Sequence, residues 1–324
     1  MRTRARWTDI DGPVHYLDFG GPARGPLIVA VHGLGGCAAN WSAIAPLLTR
    51  RARLLAPDLA GHGLTRSQGR GTGVAANRAL LHRFIESAAA APVILMGNSM
   101  GGMISLLEAS AAPGAVAGLI LVDPALPFVP ARPDPWIAGL FALYATPGVG
   151  RLVLARRRQS AESLVASMLS VCCADASRVA PEIVAEHVTV ARQRASFDTS
   201  GRDFAAAMRS VIATAGYGRG QAYRRAVASV RRPVLLLHGE RDRLVPVSVA
   251  RGAARAHPSW SLVVLPDVGH VPQLEAPRET AGAIAGWLDS AGRPAAELAA
   301  PLRPGAPAAP GRAGPPDAGA GWVA

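Results

Sequence analysis

Lysine is missing from this chain. All 34 basic residues are arginine, set against 22 acidic ones, for a formal net charge of +12 and a pI of 11.2. The arginines are scattered, apart from Arg156-Arg157-Arg158, and no nucleic-acid motif accompanies them. A nucleic-acid footprint needs a clustered basic patch, so no nucleic-acid partner is expected. The arginine run reads as a solvated helix face. Arginine in place of lysine, beside abundant Ala, Gly and Pro, is the habit of a GC-rich coding sequence.

Cysteine is almost as scarce, with three residues: Cys37, Cys172 and Cys173. The last two are adjacent and poorly placed to bridge each other, so no disulfide framework is visible. That favours a reducing compartment, the cytoplasm. Long hydrophobic runs are also lacking. The best candidate, "GLILVDPALPF", is broken by Asp123, and no run is long enough to span a bilayer. The start, "MRTRARWTDIDG", has no apolar stretch of the kind a secretory signal needs.

What is present is a large apolar fraction. Half of the 324 residues are hydrophobic, enough for a sizeable core in one large domain with an insertion or in two domains. The positive mean hydropathy, +0.22, argues against global disorder. Strand-like runs at "VHYLDFG", "PLIVAVHG", "ARLLAPD", "PVILMGN" and "AGLILVDPA" alternate with helical patterns at "NWSAIAPLLTR", "NRALLHRFIESAAA" and "GMISLLEASAA". This order predicts an α/β fold, a parallel sheet with helices on both faces. From residue 126 to 231 only helical segments follow, before strands resume at "RPVLLLHGE" and "WSLVVLPD" and a last helix covers "ETAGAIAGWLDS". We therefore expect a core over 1–125, an inserted helical lid over 126–231, and the rest of the core over 232–291. The Ala/Pro/Gly-rich tail, 292–324, is expected to be disordered.

The stretch Gly97-Asn98-Ser99-Met100-Gly101 is G-x-S-x-G, placed between a buried strand and a helix. That is the setting of a nucleophile elbow, a sharp turn whose flanking positions must be small. Ser99 is the candidate nucleophile. A serine needs a base, and His270 follows the last strand in a loop, at the same sheet edge. His238 closes a strand beside Gly239 and reads as structural, while His82, His187 and His257 fall in predicted helices. Asp242, just past the preceding strand, is the candidate acid that orients His270. Asp123 is the alternative and Glu240 a weaker third. The order Ser99, Asp242, His270 is the one expected on this sheet topology. The oxyanion donors are expected to be the Met100 N–H and, from the "HGLGG" turn at His32–Gly36, the Leu34 N–H. A phosphate cradle at that turn is excluded: no dinucleotide-type glycine spacing fits there, and a P-loop needs a lysine. Cys37, beside the turn, is a packing residue or a modifiable thiol.

Together "HGLGG", "PDLAGHGLT", "GNSMGG", "HGERDRLVP" and "DVGHVPQLEAP" resemble the α/β-hydrolase superfamily over the chain up to about Ser290. The resemblance implies a mostly parallel eight-stranded sheet, a helical cap, and no cofactor or metal. It makes "PDLAGHGLT" a structural turn, so Asp58 and His62 take no catalytic role. The elbow is similar to that of the meta-cleavage product hydrolases, C–C bond hydrolases that usually carry Trp after the catalytic His, where this chain has Val271. Haloalkane dehalogenases and soluble epoxide hydrolases share the layout but use Asp where Ser99 stands. Cofactor-free perhydrolases share the Ser-Met elbow.

The expected function is a serine hydrolase for a small-molecule carboxylic ester with a substantial apolar part. Trp136, Leu140, Phe141 and Tyr144 either line its pocket or pack the lid onto the core. A ligand-binding protein on the same fold is the non-enzymatic alternative.

Overall fold

The computed structural model describes residues 3–90, 92–127 and 159–299, except 198 and 217–219, together with positions 135, 139, 143 and 146. Eight strands form one sheet: β1 (Arg4–Asp9), β2 (Pro13–Gly20), β3 (Leu27–Val31), β4 (Arg53–Pro57), β5 (Val93–Asn98), β6 (Val116–Val122), β7 (Val234–Gly239) and β8 (Ser261–Leu265). Their spatial order is β1-β2-β4-β3-β5-β6-β7-β8. Only β2 runs against its neighbours, and every pairing from β4 to β8 is parallel.

Strands β3, β5, β6 and β7 are buried along their whole length, which is why they read as unbroken apolar runs. Alternate residues feed two cores, one on each face. Val29, Val31, Leu95, Leu119, Leu121 and Leu236 meet the cluster that contains Leu81, Phe84 and Ile104. Ile28, Ala30, Ile94, Met96, Ile120 and Leu237 meet Trp41, Ile44, Ile284 and Trp287. Leu81 and Phe84 lie on α2 (Val74–Ala88), Ile104 on α3 (Met100–Ala111), and Ile284 and Trp287 on α10 (Pro277–Leu288), while α1 (Ala45–Leu48), α8 (Val247–Ala256) and α9 (Pro272–Glu275) also lie outside the β6–β7 insertion. Exposed ion pairs such as Arg51–Asp289 add about 0–1 kcal/mol each, so the stability resides in these two cores.

Between β6 and β7 lie α4 (Ala161–Cys172), α5 (Pro181–Arg194), α6 (Ser200–Ala215) and α7 (Gly220–Ser229). Val165, Leu169, Val179, Ile183 and Val188 of this insertion pack with Val271 and Leu274 of the segment after β8. A last helix, α11 (Arg293–Leu298), falls where the composition predicts disorder. Its Ala295 is fully buried against Gly118 of β6, where a Cβ would collide with it. A stretch of alanine, glycine and proline lacks the large apolar residues that mark a core element, yet alanine is small enough to pack on a sheet. Among the described residues, no helix is long and apolar enough to cross a membrane.

Candidate active site

Five loops leave the carboxyl ends of parallel strands at one edge of the sheet, the place where open α/β sheets build their sites. They carry the "HGLGG" turn after β3, Ser99 after β5, Asp123 after β6, Asp242 after β7 and His270 after β8.

Ser99 joins β5 to α3 with φ 53° and ψ −115°. A non-glycine residue held there stores about 1–3 kcal/mol of strain, and the surroundings enforce it. The Ser99 N–H donates to Val122 O at 3.1 Å, and its carbonyl accepts from Met103 N and Ala125 N. A Cβ on Gly97 would strike the backbone of Gly101, and one on Gly101 would strike the Val31 carbonyl. The turn is thus squeezed between its own two arms and β3, and only glycine fits at either flank. Met100 opens α3, so its N–H has no intrahelical acceptor. Gly33 of the "HGLGG" turn is so close to Ser99 that a Cβ there would lie 3.2 Å from Ser99 Cβ. Leu34 follows it.

That turn is held from beneath. Leu59 N–H donates to His32 Nε2 at 3.1 Å, so the proton sits on Nδ1, which donates to Gly33 O at 2.7 Å. Burial lowers the His32 pKa and keeps the ring neutral. Asp58 accepts from Ala38 N at 2.6 Å and Leu64 N at 2.8 Å, and pairs with His15 Nδ1 at 2.7 Å. Burial would raise the Asp58 pKa, but His15, His32 and the Leu64 N–H outweigh it and lower it.

On the other side, His270 Nδ1 stands 2.6 Å from Asp242 Oδ2, with both side chains buried. The other carboxylate oxygen of Asp242 accepts from Leu244 N at 2.8 Å and Val245 N at 2.9 Å. Burial alone would raise the Asp242 pKa. His270, His238 and the Val245 N–H reverse this and hold the group ionised below its ordinary range. Asp123 is fully buried beside it, accepting from Gly239 N at 2.9 Å. Burial first, then repulsion from Asp242, push its pKa well up. The structure pairs Asp242, not Asp123, with His270. Glu240 faces solvent, 3.8 Å from Arg251, and lies outside the site. His238 Nε2–H donates to Val245 O at 2.8 Å, a structural bond.

Asn98 is a positioning residue that the motif contained but did not announce. Its Nδ2 donates to Val122 O at 3.1 Å and to His270 O at 3.0 Å. It thereby ties the elbow to the histidine loop. The Ser99 hydroxyl and His270 are not hydrogen-bonded to each other in this structure, a spacing common before substrate binds. Trp136, Leu140, Phe141 and Tyr144 lie outside the described residues. Asp123, Asp242 and His270 offer ligand atoms within 4.8 Å of one another, and the 2.6 Å His270–Asp242 pair, with Asp123 bonded to Gly239 N beside it, accounts for that closeness.

The alpha/beta hydrolase family model matches residues 28–283. A pimeloyl-[acyl-carrier protein] methyl ester esterase of Aromatoleum aromaticum is 30% identical over 265 residues, 79% of this chain and 95% of that protein. A monoacylglycerol lipase of Mus musculus is 25% identical over 275 residues, 84% of this chain and 78% of that one. Among solved structures, a thermophilic esterase from Thermogutta terrifontis aligns with a TM-score of 0.64 at 23% identity, covering 90% of this chain and 99% of its own. A haloalkane dehalogenase from Bradyrhizobium elkani aligns at 0.73 and 19%, with coverage of 90% and 99%. These likenesses between structures establish the fold alone. With the sheet order, the elbow and the family match in agreement, the chain belongs to the alpha/beta hydrolase family, as a carboxylesterase-like hydrolase.

Proposed function

We propose that this protein hydrolyses a small-molecule carboxylic ester with a substantial apolar part, through Ser99, His270 and Asp242 and an acyl-enzyme. Ser99 Oγ attacks the ester carbonyl carbon while His270 takes its proton. Asp242 orients the ring and stabilises the imidazolium that forms. The N–H groups of Leu34 and Met100 receive the oxyanion, and the α3 N-terminus favours its charge. The proton passes to the departing alcohol, and a water, deprotonated by the same histidine, releases the acid. The observation that carries this reading is the buried 2.6 Å His270–Asp242 pair at the same sheet edge as the strained Ser99.

Both relatives named above are esterases or lipases by name, which supports an acyl ester as the substrate class. The insertion over 126–231 serves as the lid, and Trp136, Leu140, Phe141 and Tyr144 are its proposed pocket residues. Three free cysteines support a cytoplasmic setting.

Labelling with a fluorophosphonate probe, native protein against Ser99→Ala, beside hydrolysis of p-nitrophenyl esters of graded chain length, tests the proposal. Labelling that vanishes in the variant, with ester turnover, is the expected result. A folded native protein that takes no label overturns the serine mechanism and leaves a ligand-binding protein. Label without ester turnover overturns the ester assignment in favour of C–C or peracid chemistry.

A further inference from the structure

Glu275 lies outside the proposed triad, yet its carboxylate is among the most heavily bonded groups near it. It is 3% exposed. Its Oε2 accepts from Gly269 N at 2.8 Å and from Ala174 N at 3.1 Å. Its Oε1 accepts from Asp175 N at 2.8 Å. The first donor directly precedes His270, and the other two belong to the helical insertion, just after α4. The His270 N–H itself donates to Cys172 O at 2.6 Å. The two segments touch so closely that a Cβ on Gly269 would collide with the Cys172 carbonyl and with Ala174 N. Arg178, also of the insertion, closes the outer side by donating to Asp267 O at 2.8 Å. A buried carboxylate with three N–H donors makes strong, directional, charge-assisted bonds, and nothing in acyl transfer requires it.

We propose that Glu275 is a positioning residue for His270, clamping the histidine loop to segment 172–175 so that the helical insertion forms part of the base's support as well as its cover. This rests on the reading of His270 as the general base. The clamp fixes the backbone on which the imidazole turns. Without it the ring loses its alignment between Asp242 and Ser99, and misplacement by about 1 Å costs on the order of 100-fold in rate. Substrate binding, which the clamp does not touch, should hold.

The test is Glu275→Gln, whose amide nitrogen would face one of the three N–H groups with a donor of its own. We expect kcat to fall by about 10- to 100-fold with KM little changed. The downfield proton resonance of the His270–Asp242 hydrogen bond should shift or broaden in the folded variant. A folded Glu275→Gln protein with native kcat and a native resonance overturns the proposal. So does a raised KM at native kcat. If that variant does not fold, Arg178→Ala, at a solvent-exposed side chain, decides: a several-fold fall in kcat with the same change in the resonance supports the clamp, and native values overturn it. His270→Ala, measured alongside, separates the two levels. If it keeps native turnover, the reading of His270 as base is wrong, whatever Glu275 does.

Discussion

Asp123 and Asp242 bring carboxylate oxygens within 4.8 Å of each other at the buried ends of β6 and β7, where a charge on one disfavours a charge on the other. Asp242 has the histidine and two N–H donors, so Asp123 is the carboxyl whose pKa is pushed up, by burial first and then by Asp242. Asparagine mimics each carboxyl differently. At 123 its Nδ2–H can replace the acid proton facing Asp242, and its Oδ1 can still accept from Gly239 N. At 242 it presents a donor or a neutral acceptor to a ring that needs a carboxylate. Asp242→Asn should therefore lower kcat on the order of 10³- to 10⁴-fold, and Asp123→Asn only slightly. Stability should move as well. A folded carboxyl with a raised pKa keeps a proton that the unfolded chain releases above 3.8, so its contribution to stability falls as pH rises past that value. Asp123→Asn should thus raise the melting temperature at pH 7, with a gain that shrinks toward pH 4. A larger loss of kcat in Asp123→Asn than in Asp242→Asn would reverse the assignment, and equal losses would overturn it.

The expected parallel sheet and the residues at its carboxyl edge were legible because burial on both faces leaves an unbroken apolar run, and each run ends at its functional loop. β1 was not. Arg4–Asp9 is an exposed-to-intermediate edge strand, with neither an apolar run nor clean alternation, and its partner β2 defines it. α7 has no pattern of its own within the helical block for a related reason: among its apolar residues only Tyr223 and Val227 are buried, too few for a helical stripe. Asn98 and Glu275 show the same limit within the site. A buried polar residue that braces a loop is written like a surface residue, and the donors to Glu275 at Ala174 and Asp175 lie about a hundred positions away in the chain. Ser99 and His270 were easier, since glycine spacing and strand ends mark them locally.

The buried histidines predict how the fold responds to acid. His62 is pushed down to about 3 by burial, by His32 and by Arg194, and burial also lowers His32, His187 and His238. In the unfolded chain each binds a proton below its ordinary value of 6.5; in the fold His62 does not until about 3. Between those values acid favours the unfolded chain, by up to about 1.4 kcal/mol per pH unit for this one group. Urea midpoints measured from pH 7 to pH 5 should fall steadily in the native protein. His62→Gln, whatever its effect at pH 7, should flatten that slope. An unchanged slope would show that His62 does not stay neutral in the fold.

The cysteines should be inert despite two of them lying near the site. Cys37 follows the "HGLGG" turn and is 6% exposed; burial first, then the Asp58 charge, push its pKa up. Burial and the Asp242 charge raise Cys172 to about 12. Cys173 is raised by burial and by Glu275. Only the thiolate reacts with electrophiles, and at pH 8 all three side chains remain thiols. Iodoacetamide at that pH should leave ester hydrolysis intact, and a disulfide reagent should count no thiols in the folded protein and three after denaturation. Inactivation that substrate prevents, and that Cys37→Ala but not Cys172→Ala abolishes, would instead make Cys37 an accessible thiol beside the oxyanion turn, as its place in the chain first suggested. The 2.9 Å bond from its N–H to Asn40 Oδ1 pins the backbone at Cys37, so that outcome would require the turn to open, and with it the proposed oxyanion hole.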